Sequence, residues 1–300
     1  MPHTNEVVLV PNQGWDERLL VCRNGEMVDT FIVVTERYVV LIDTVINPAT
    51  ARQMLAFAQP HLTGARQLLV VNTHADYDHA WGNQIFDGPH AEHTAPIIGT
   101  RGCAELLRSA EGAAYLQEMQ KKEPALFGEV VLTPPTLLFD EQLTIDGGDL
   151  TLELFATPGH TVDHAAIFIP EISTLLAADA AELPFPLART VEGLPTMRAS
   201  LAKLAALDAA TVLYCHAPVT IGPGLIQQNI RYYDQLEARC RAALANGAPP
   251  QPAADVDVAA LIDYPFADAV TVGAYGDFIG EHHARSWHPH AIRMMLEWVA

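Results

Sequence analysis

Between Thr73 and Asn83 the chain reads THADYDHAWGN, which places His74, Asp76, Asp78 and His79 within six residues. Imidazole and carboxylate are the groups that carry protons near neutral pH and that bind divalent metals. In a strand these residues would alternate faces, and in a helix positions 74 and 76 would diverge, so a loop at the end of a strand is the natural way to converge them. Packed together without a cation, the carboxylates would repel one another and each group would lose its hydration. A metal ion removes both penalties. A solvated polar turn is the competing reading; it suits an isolated pair better than four such groups directly after the apolar LLVV. The same types recur at later strand ends: His160 in TPGHT, Asp179 in LLAADA and His216 in VLYCHAP. Any one of them alone reads as an ordinary polar residue closing a strand. Together they form a repeated pattern of apolar strand followed at once by His or Asp.

The elements that must position these groups are visible in the periodicity. VVLV (7–10), LLVC (19–22), DTFIVV (29–34) and YVVLID (38–43) predict an antiparallel meander. Residues 48–58 predict a helix and 67–72 a buried strand, a helix follows over about 100–120, and strands return within 136–156. AAIFIP (165–170) and TLLAAD (174–179) predict two further buried strands, then come a helix over 195–207, a strand over 211–215 and a long amphipathic helix over 224–244. NGAPPQPAA (246–254) reads as a linker, and the remainder, helical near 255–262 and 287–299, is too short to hold a core of its own. The expected organisation is one domain over 1–245 with a linker and helical extension, 246–300, packed on it.

Composition bounds the partners. Half of the 300 residues are hydrophobic and 18% are charged, as in a globular chain. Asp and Glu total 36 against 17 Lys and Arg, a net charge of −19. That field repels phosphate backbones and anionic lipid, so the expected partner is a small-molecule substrate, with no nucleic acid and no membrane; a homo-oligomer is left open. Cys22, Cys103, Cys215 and Cys240 have no CxxC spacing, the N-terminus lacks the pattern of a secretory signal, and a cytoplasmic location is expected.

With these motifs in this order, DTFIVV, VVLIDT, NTHADYDHAWGN, TPGHT, AADA and YCHAP, the sequence resembles the metallo-β-lactamase-fold superfamily of metal-dependent hydrolases from about Val7 to Leu244. The resemblance implies an α/β (α+β) fold, a four-layer αββα sandwich with a short C-terminal helical extension, and two divalent metal ions at the edge where strands end. By position, His74, Asp76 and His160 would hold one metal, Asp78, His79 and His216 the other, and Asp179 would bridge them. One position departs from the usual His-x-His-x-Asp-His, because Asp76 stands in place of the second His. The carboxylate hardens that site, so zinc is the first expectation while iron and manganese stay open. An Asp76 too short to reach would leave one metal on the Asp78, His79 and His216 side.

The implied activity is hydrolysis of a small ester, lactone, thioester or amide by a metal-bound hydroxide, with Asp78 helping to orient the nucleophile. Glyoxalase-II-like hydrolysis of a glutathione thioester ranks lower, because the two-His loop is missing and few basic residues are present to grip glutathione. An iron-dependent oxidoreductase or oxygenase on the same fold and a non-catalytic metal-binding protein are the alternatives. Outside the seven positions, Asp163 and His164 read as a polar strand start rather than as partners fixing a ligand imidazole. His90 and His93 read as a surface loop. EHHARSWHPH (281–290) reads as the start of a helix near the pocket rather than as an accessory metal site. Trp81 reads equally as core or as pocket wall.

Overall fold

The computed structural model describes residues 3–270 and 278–300. The first sheet has seven strands in the order β1 to β7: β1 (Val7–Val10), β2 (Leu19–Asn24), β3 (Val28–Val34), β4 (Tyr38–Ile42), β5 (Gln67–Val71), β6 (Ile97–Thr100) and β7 (Leu137–Phe139). Its first four strands form the antiparallel meander expected from the sequence. From β4 onward the pairing is parallel. Parallel strands covered on both faces are continuous apolar runs rather than alternating ones, and the buried LLVV of β5 fits. The second sheet has the order β12-β11-β10-β9-β8, with β8 (Gln142–Asp146), β9 (Thr151–Ala156), β10 (Ala165–Ile169), β11 (Thr174–Ala178) and β12 (Thr211–Tyr214).

Helices α1 (Pro48–Ala58) and α2 (Tyr77–Ala80) flank β5. The stretch after β6 carries α3 (Arg101–Arg108), α4 (Ala110–Lys122) and α5 (Pro124–Phe127). Asn47 caps α1 through a reciprocal pair with Thr50, Pro48 occupies the first turn, and Ala51, Met54, Leu55 and Ala58 form the buried stripe. The single helix expected over about 100–120 is two helices. Ser109 is extended (φ −74°, ψ 157°), its N–H closes α3 onto the Leu106 carbonyl, and its Oγ accepts from Gly112 N at 2.9 Å to open α4. A serine that caps the next helix this well ends the previous one. The later helices are α6 (Gly193–Ala206), α7 (Gly224–Ala245), the short α8 (Val258–Leu261) and α9 (Phe266–Ala269), and α10 (His288–Trp298).

The chain divides into two units, one of residues 1–156 with 163–176 and the other of 157–162 with 177–300. Unit 1 contains the whole first sheet together with β8, β9, β10 and most of β11; unit 2 contains the end of β11, β12 and α6 to α10. Within unit 2, α10 packs against α7 and α6. His288 locks that packing. Tyr232 Oη donates to its Nδ1 at 2.8 Å and its Nε2–H donates to the Tyr264 carbonyl at 2.8 Å, so both ring nitrogens of this buried imidazole are satisfied within the fold. No helix among the described residues is long and apolar enough to cross a membrane.

Candidate metal centre

The four ligand-type residues of unit 1 follow β5 directly. Parallel pairing of β4 with β5 sets Ile42 opposite Val71, so the residues just beyond each strand, Asp43 on one and Asn72 to His74 on the other, come to lie side by side. Asp43 bends out of β4 in the left-handed region (φ 68°), where few residues other than glycine are comfortable. Its carboxylate, wholly buried, accepts from Thr73 N and Thr73 Oγ at 2.8 Å each and stands 2.8 Å from His79 Nδ1. His74 Nδ1 lies 3.0 Å from Thr73 Oγ. With the Nδ1 atoms tied to the interior, the Nε2 atoms are the outward donors: His74 Nε2 lies 3.4 Å from Asp76 Oδ2, and His79 Nε2 lies 3.8 Å from Asp78 Oδ2. Asp76 sits at the N-cap of α2, yet its side chain does not cap that helix.

A buried amide network holds the turn. Asn83 and Asn72 exchange hydrogen bonds at 2.7 and 3.0 Å, Asn83 donates to the Thr133 carbonyl at 2.8 Å, and Thr44 Oγ donates to Asn83 Oδ1 at 2.9 Å. Gly82 permits the close approach, because a Cβ there would lie 2.1 Å from the Thr44 carbonyl oxygen. Asp163 accepts from Ala75 N at 2.8 Å and thereby pins the backbone between His74 and Asp76, while the His164 ring lies 5.0 Å from that of His74. Asp163 thus fixes the backbone between His74 and Asp76, and not a ligand imidazole. Trp81 resolves as core: it is 2% exposed and packs edge-on against Tyr77 and Phe127. Burial, and next the Asp78 charge, push the Tyr77 phenol up, so it stays protonated at neutral pH.

Unit 2 brings its three residues together from three separate segments. Gly159 (φ 145°) turns TPGHT so tightly that a Cβ would lie 2.2 Å from Met197 Cα on α6, and Ser200 Oγ donates to the Pro158 carbonyl at 2.7 Å. Ala178 ends β11 in the left-handed region (φ 45°), directly before Asp179, and His216 follows β12 by two residues. Asp179 Oδ2 lies 3.7 Å from His160 Nε2 and 3.3 Å from His216 Nε2. His160 Nδ1 faces Glu182 Oε1 at 3.1 Å. Asp43 and Glu182 were missed in the sequence. Asp43 carried the signal that found Asp179, an acid closing an apolar strand, whereas Glu182 is marked only as a second acid three residues beyond Asp179 in AADAAELPFP.

The donor set fits a divalent metal. Two donors about 2.1 Å from a shared tetrahedral ion stand roughly 3.4 Å apart, whereas a charge-assisted hydrogen bond spans about 2.7–2.9 Å. The four Nε2-to-carboxylate distances, 3.3–3.8 Å, match the first spacing. The Nδ1-to-Asp43 distance of 2.8 Å matches the second. Ligand imidazoles held through their other nitrogen by a carboxylate are the usual second layer of such sites. Groups of His and Asp able to hold a metal are thus present among the described residues.

The sequence profile of the metallo-beta-lactamase superfamily matches residues 23–216, which span both sets. The chain belongs to the metallo-beta-lactamase superfamily. Among its relatives in that superfamily is a hydroxyacylglutathione hydrolase of Hahella chejuensis, 30% identical over 218 residues that cover 70% of this chain and 71% of the relative. Another of the same name from Rhodospirillum rubrum is 27% identical, covering 71% and 72%. The structure is similar to a metallo-beta-lactamase family protein of Thermus thermophilus (TM-score 0.57, 21% identity, 89% of this chain and 90% of that one) and to a metallo-beta-lactamase from Pontibacter korlensis (TM-score 0.56, 16% identity, 75% and 98%). Its fold is accordingly the αββα sandwich of the superfamily, and the chain is a hydrolase of that superfamily.

Proposed function

We propose that His74, Asp76, Asp78 and His79 of unit 1 and His160, Asp179 and His216 of unit 2 are ligands of divalent metal ions, two per chain and zinc first, and that the chain hydrolyses a small-molecule thioester or ester. The observation that carries this reading is the paired spacing within each unit, with Nε2 atoms and carboxylate oxygens set apart as two donors of one shared ion are, and with the Nδ1 atoms of His74, His79 and His160 turned to interior partners. When bound, divalent metals supply Lewis acidity toward a carbonyl oxygen and lower the pKa of water to about 7. The chain's own part is to hold the donors before substrate arrives: Asp43 and Thr73 fix His79 and His74, and Asp163 fixes the backbone between His74 and Asp76. Asp78, near-buried in the first turn of α2, is the carboxylate that orients the attacking water, with its Oδ atoms as proton acceptors. Water adds to the carbonyl carbon, the bond to sulfur or oxygen breaks, and the leaving thiol or alcohol departs with a proton.

A hydroxyacylglutathione is itself a thioester, so the names of the relatives favour that bond among those expected from sequence. The carrier is a separate question. Seventeen basic residues face 36 acidic ones, and Arg18, Arg23, Arg52 and Arg198 are already engaged by carboxylates. Hydrolysis of a hydroxyacylglutathione and of a neutral thioester with the same acyl group should therefore be compared, beside metal analysis of protein purified without chelators. The expected outcome is a colourless protein with about two zinc or manganese ions per chain and turnover that is lost, together with metal, in a His74→Ala/His79→Ala double variant. Turnover by the metal-free double variant, or a coloured iron-loaded protein that hydrolyses neither thioester, overturns the reading.

A further inference from the structure

Glu182 lies three residues beyond Asp179 and is 1% exposed. A carboxylate removed from water is costly without a partner, the more so in a chain of net charge −19. Its Oε1, shut off from solvent, faces His160 Nδ1 at 3.1 Å, and the other nitrogen of the same ring faces Asp179 at 3.7 Å. The backbone that presents Glu182 is held as closely as the side chain. Asn229, wholly buried on α7, accepts from Glu182 N at 3.1 Å and donates to the carbonyls of Glu182 at 2.9 Å and Pro184 at 3.0 Å. Leu183 N donates to the His216 carbonyl at 3.2 Å. One buried amide thus makes three bonds to a single segment, and that segment touches two of the three ligand-type residues of unit 2.

We propose that Glu182 is the positioning residue of His160. Its charge, 3.1 Å from Nδ1, favours the neutral tautomer that carries its proton on Nδ1 and leaves the Nε2 lone pair facing Asp179, and it makes that nitrogen a stronger donor to a divalent metal. The role parallels that of Asp43 toward His79 in unit 1, but it is filled by a longer side chain from a loop rather than by a strand-end aspartate. This inference rests on the metal centre proposed above and deepens it.

The test is zinc affinity, measured by titrating metal-free protein against a chromophoric chelator, for wild type, Glu182→Gln and Glu182→Ala. Loss of an outer partner of this kind costs about tenfold to a hundredfold in metal affinity. Glu182→Ala should show that loss, while Glu182→Gln, which keeps an acceptor oxygen but no charge, should fall between it and wild type; a packing role alone would leave Gln at the wild-type value. Thermal unfolding of the metal-free proteins should be alike, and if the Ala variant fails to fold, the isosteric Gln variant carries the measurement. Wild-type zinc affinity in these variants overturns the inference and leaves the metal centre standing, whereas a wild-type chain that takes up no divalent metal removes both.

Discussion

The two units reach the same chemistry by different routes. In unit 1 the ligand-type residues are neighbours in sequence, and the fold's task is to keep one loop in shape, which it does with Asp43 and a buried network of Thr73, Asn72, Asn83 and Thr44. In unit 2, His160, Asp179 and His216 come from three segments, and the fold must bring backbones together, which it does with a glycine turn pressed on α6 and a loop fixed by Asn229. A locally encoded set needs support against collapse of a loop; a dispersed set needs support for convergence itself. Both use a left-handed residue at a strand end, Asp43 in one and Ala178 in the other, to re-aim the chain where the strand stops.

The strongest way to break this comparison is to remove the close approaches. Gly82→Ala would set a Cβ 2.1 Å from the Thr44 carbonyl oxygen, and Gly159→Ala would set one 2.2 Å from Met197 Cα. Neither obstacle is the end of a flexible side chain, so each change should cost several kcal/mol, more than the roughly 1–3 kcal/mol of ordinary overpacking. Urea unfolding of the metal-free variants should show the loss. Gly159 combines its clash with a φ of 145° and should be the worse of the two; a Gly159→Ala variant with wild-type stability would mean that convergence in unit 2 does not depend on this turn.

A smaller effect should separate support from ligation. Asp43→Asn keeps the size of the side chain and a residue that tolerates the left-handed region, but removes the charge that holds His79 Nδ1. Zinc affinity should fall by about tenfold to a hundredfold, read by the same chelator competition, with circular dichroism unchanged. Equal affinity would show that Thr73 and the amide network suffice to hold the loop.

The smallest expected effect concerns acid, and it belongs to unit 2. Burial, and next the neighbouring His282, pull the pKa of His283 down from its ordinary 6.5 to about 4. Between those values the unfolded chain binds a proton that the folded chain does not, so this residue's contribution to stability is present above about 6.5 and is lost as pH falls toward 4. Urea unfolding of metal-free protein at pH 8 and pH 5 should show the decline, and His283→Gln should make it shallower; an identical slope in the variant would remove His283 as its source.

Much of this fold was legible along the chain where the signal was local. The apolar runs and turn residues marked the strands of the meander. The crowding of THADYDH marked the unit 1 residues as candidates, because within six residues two carboxylates repel each other and all four groups lose hydration unless a cation joins them. The break at Ser109 was not legible, since the helical composition on both sides is continuous and only the Oγ-to-Gly112 bond decides that the helix restarts. The C-terminal histidines, read along the chain as the start of a helix rather than as a metal site, include His288 at the start of α10, which commits both nitrogens to Tyr232 and Tyr264, residues 56 and 24 positions away.

The sequence by itself determined which side chains are present and, within one or two residues, where the strands of the meander, β5, β10, β11 and β12 stop, because hydrophobic period and polar punctuation are properties of neighbours along the chain. Which carboxylate stands behind which imidazole was decided only by tertiary structure. Asp43 reaches His79 because β4 pairs in parallel with β5 at a register that sets Ile42 opposite Val71. Glu182 reaches His160 because a buried Asn229 on a distant helix holds the loop between them. Pairing register and burial are relations between segments far apart in the chain, and no local pattern of residues contains them.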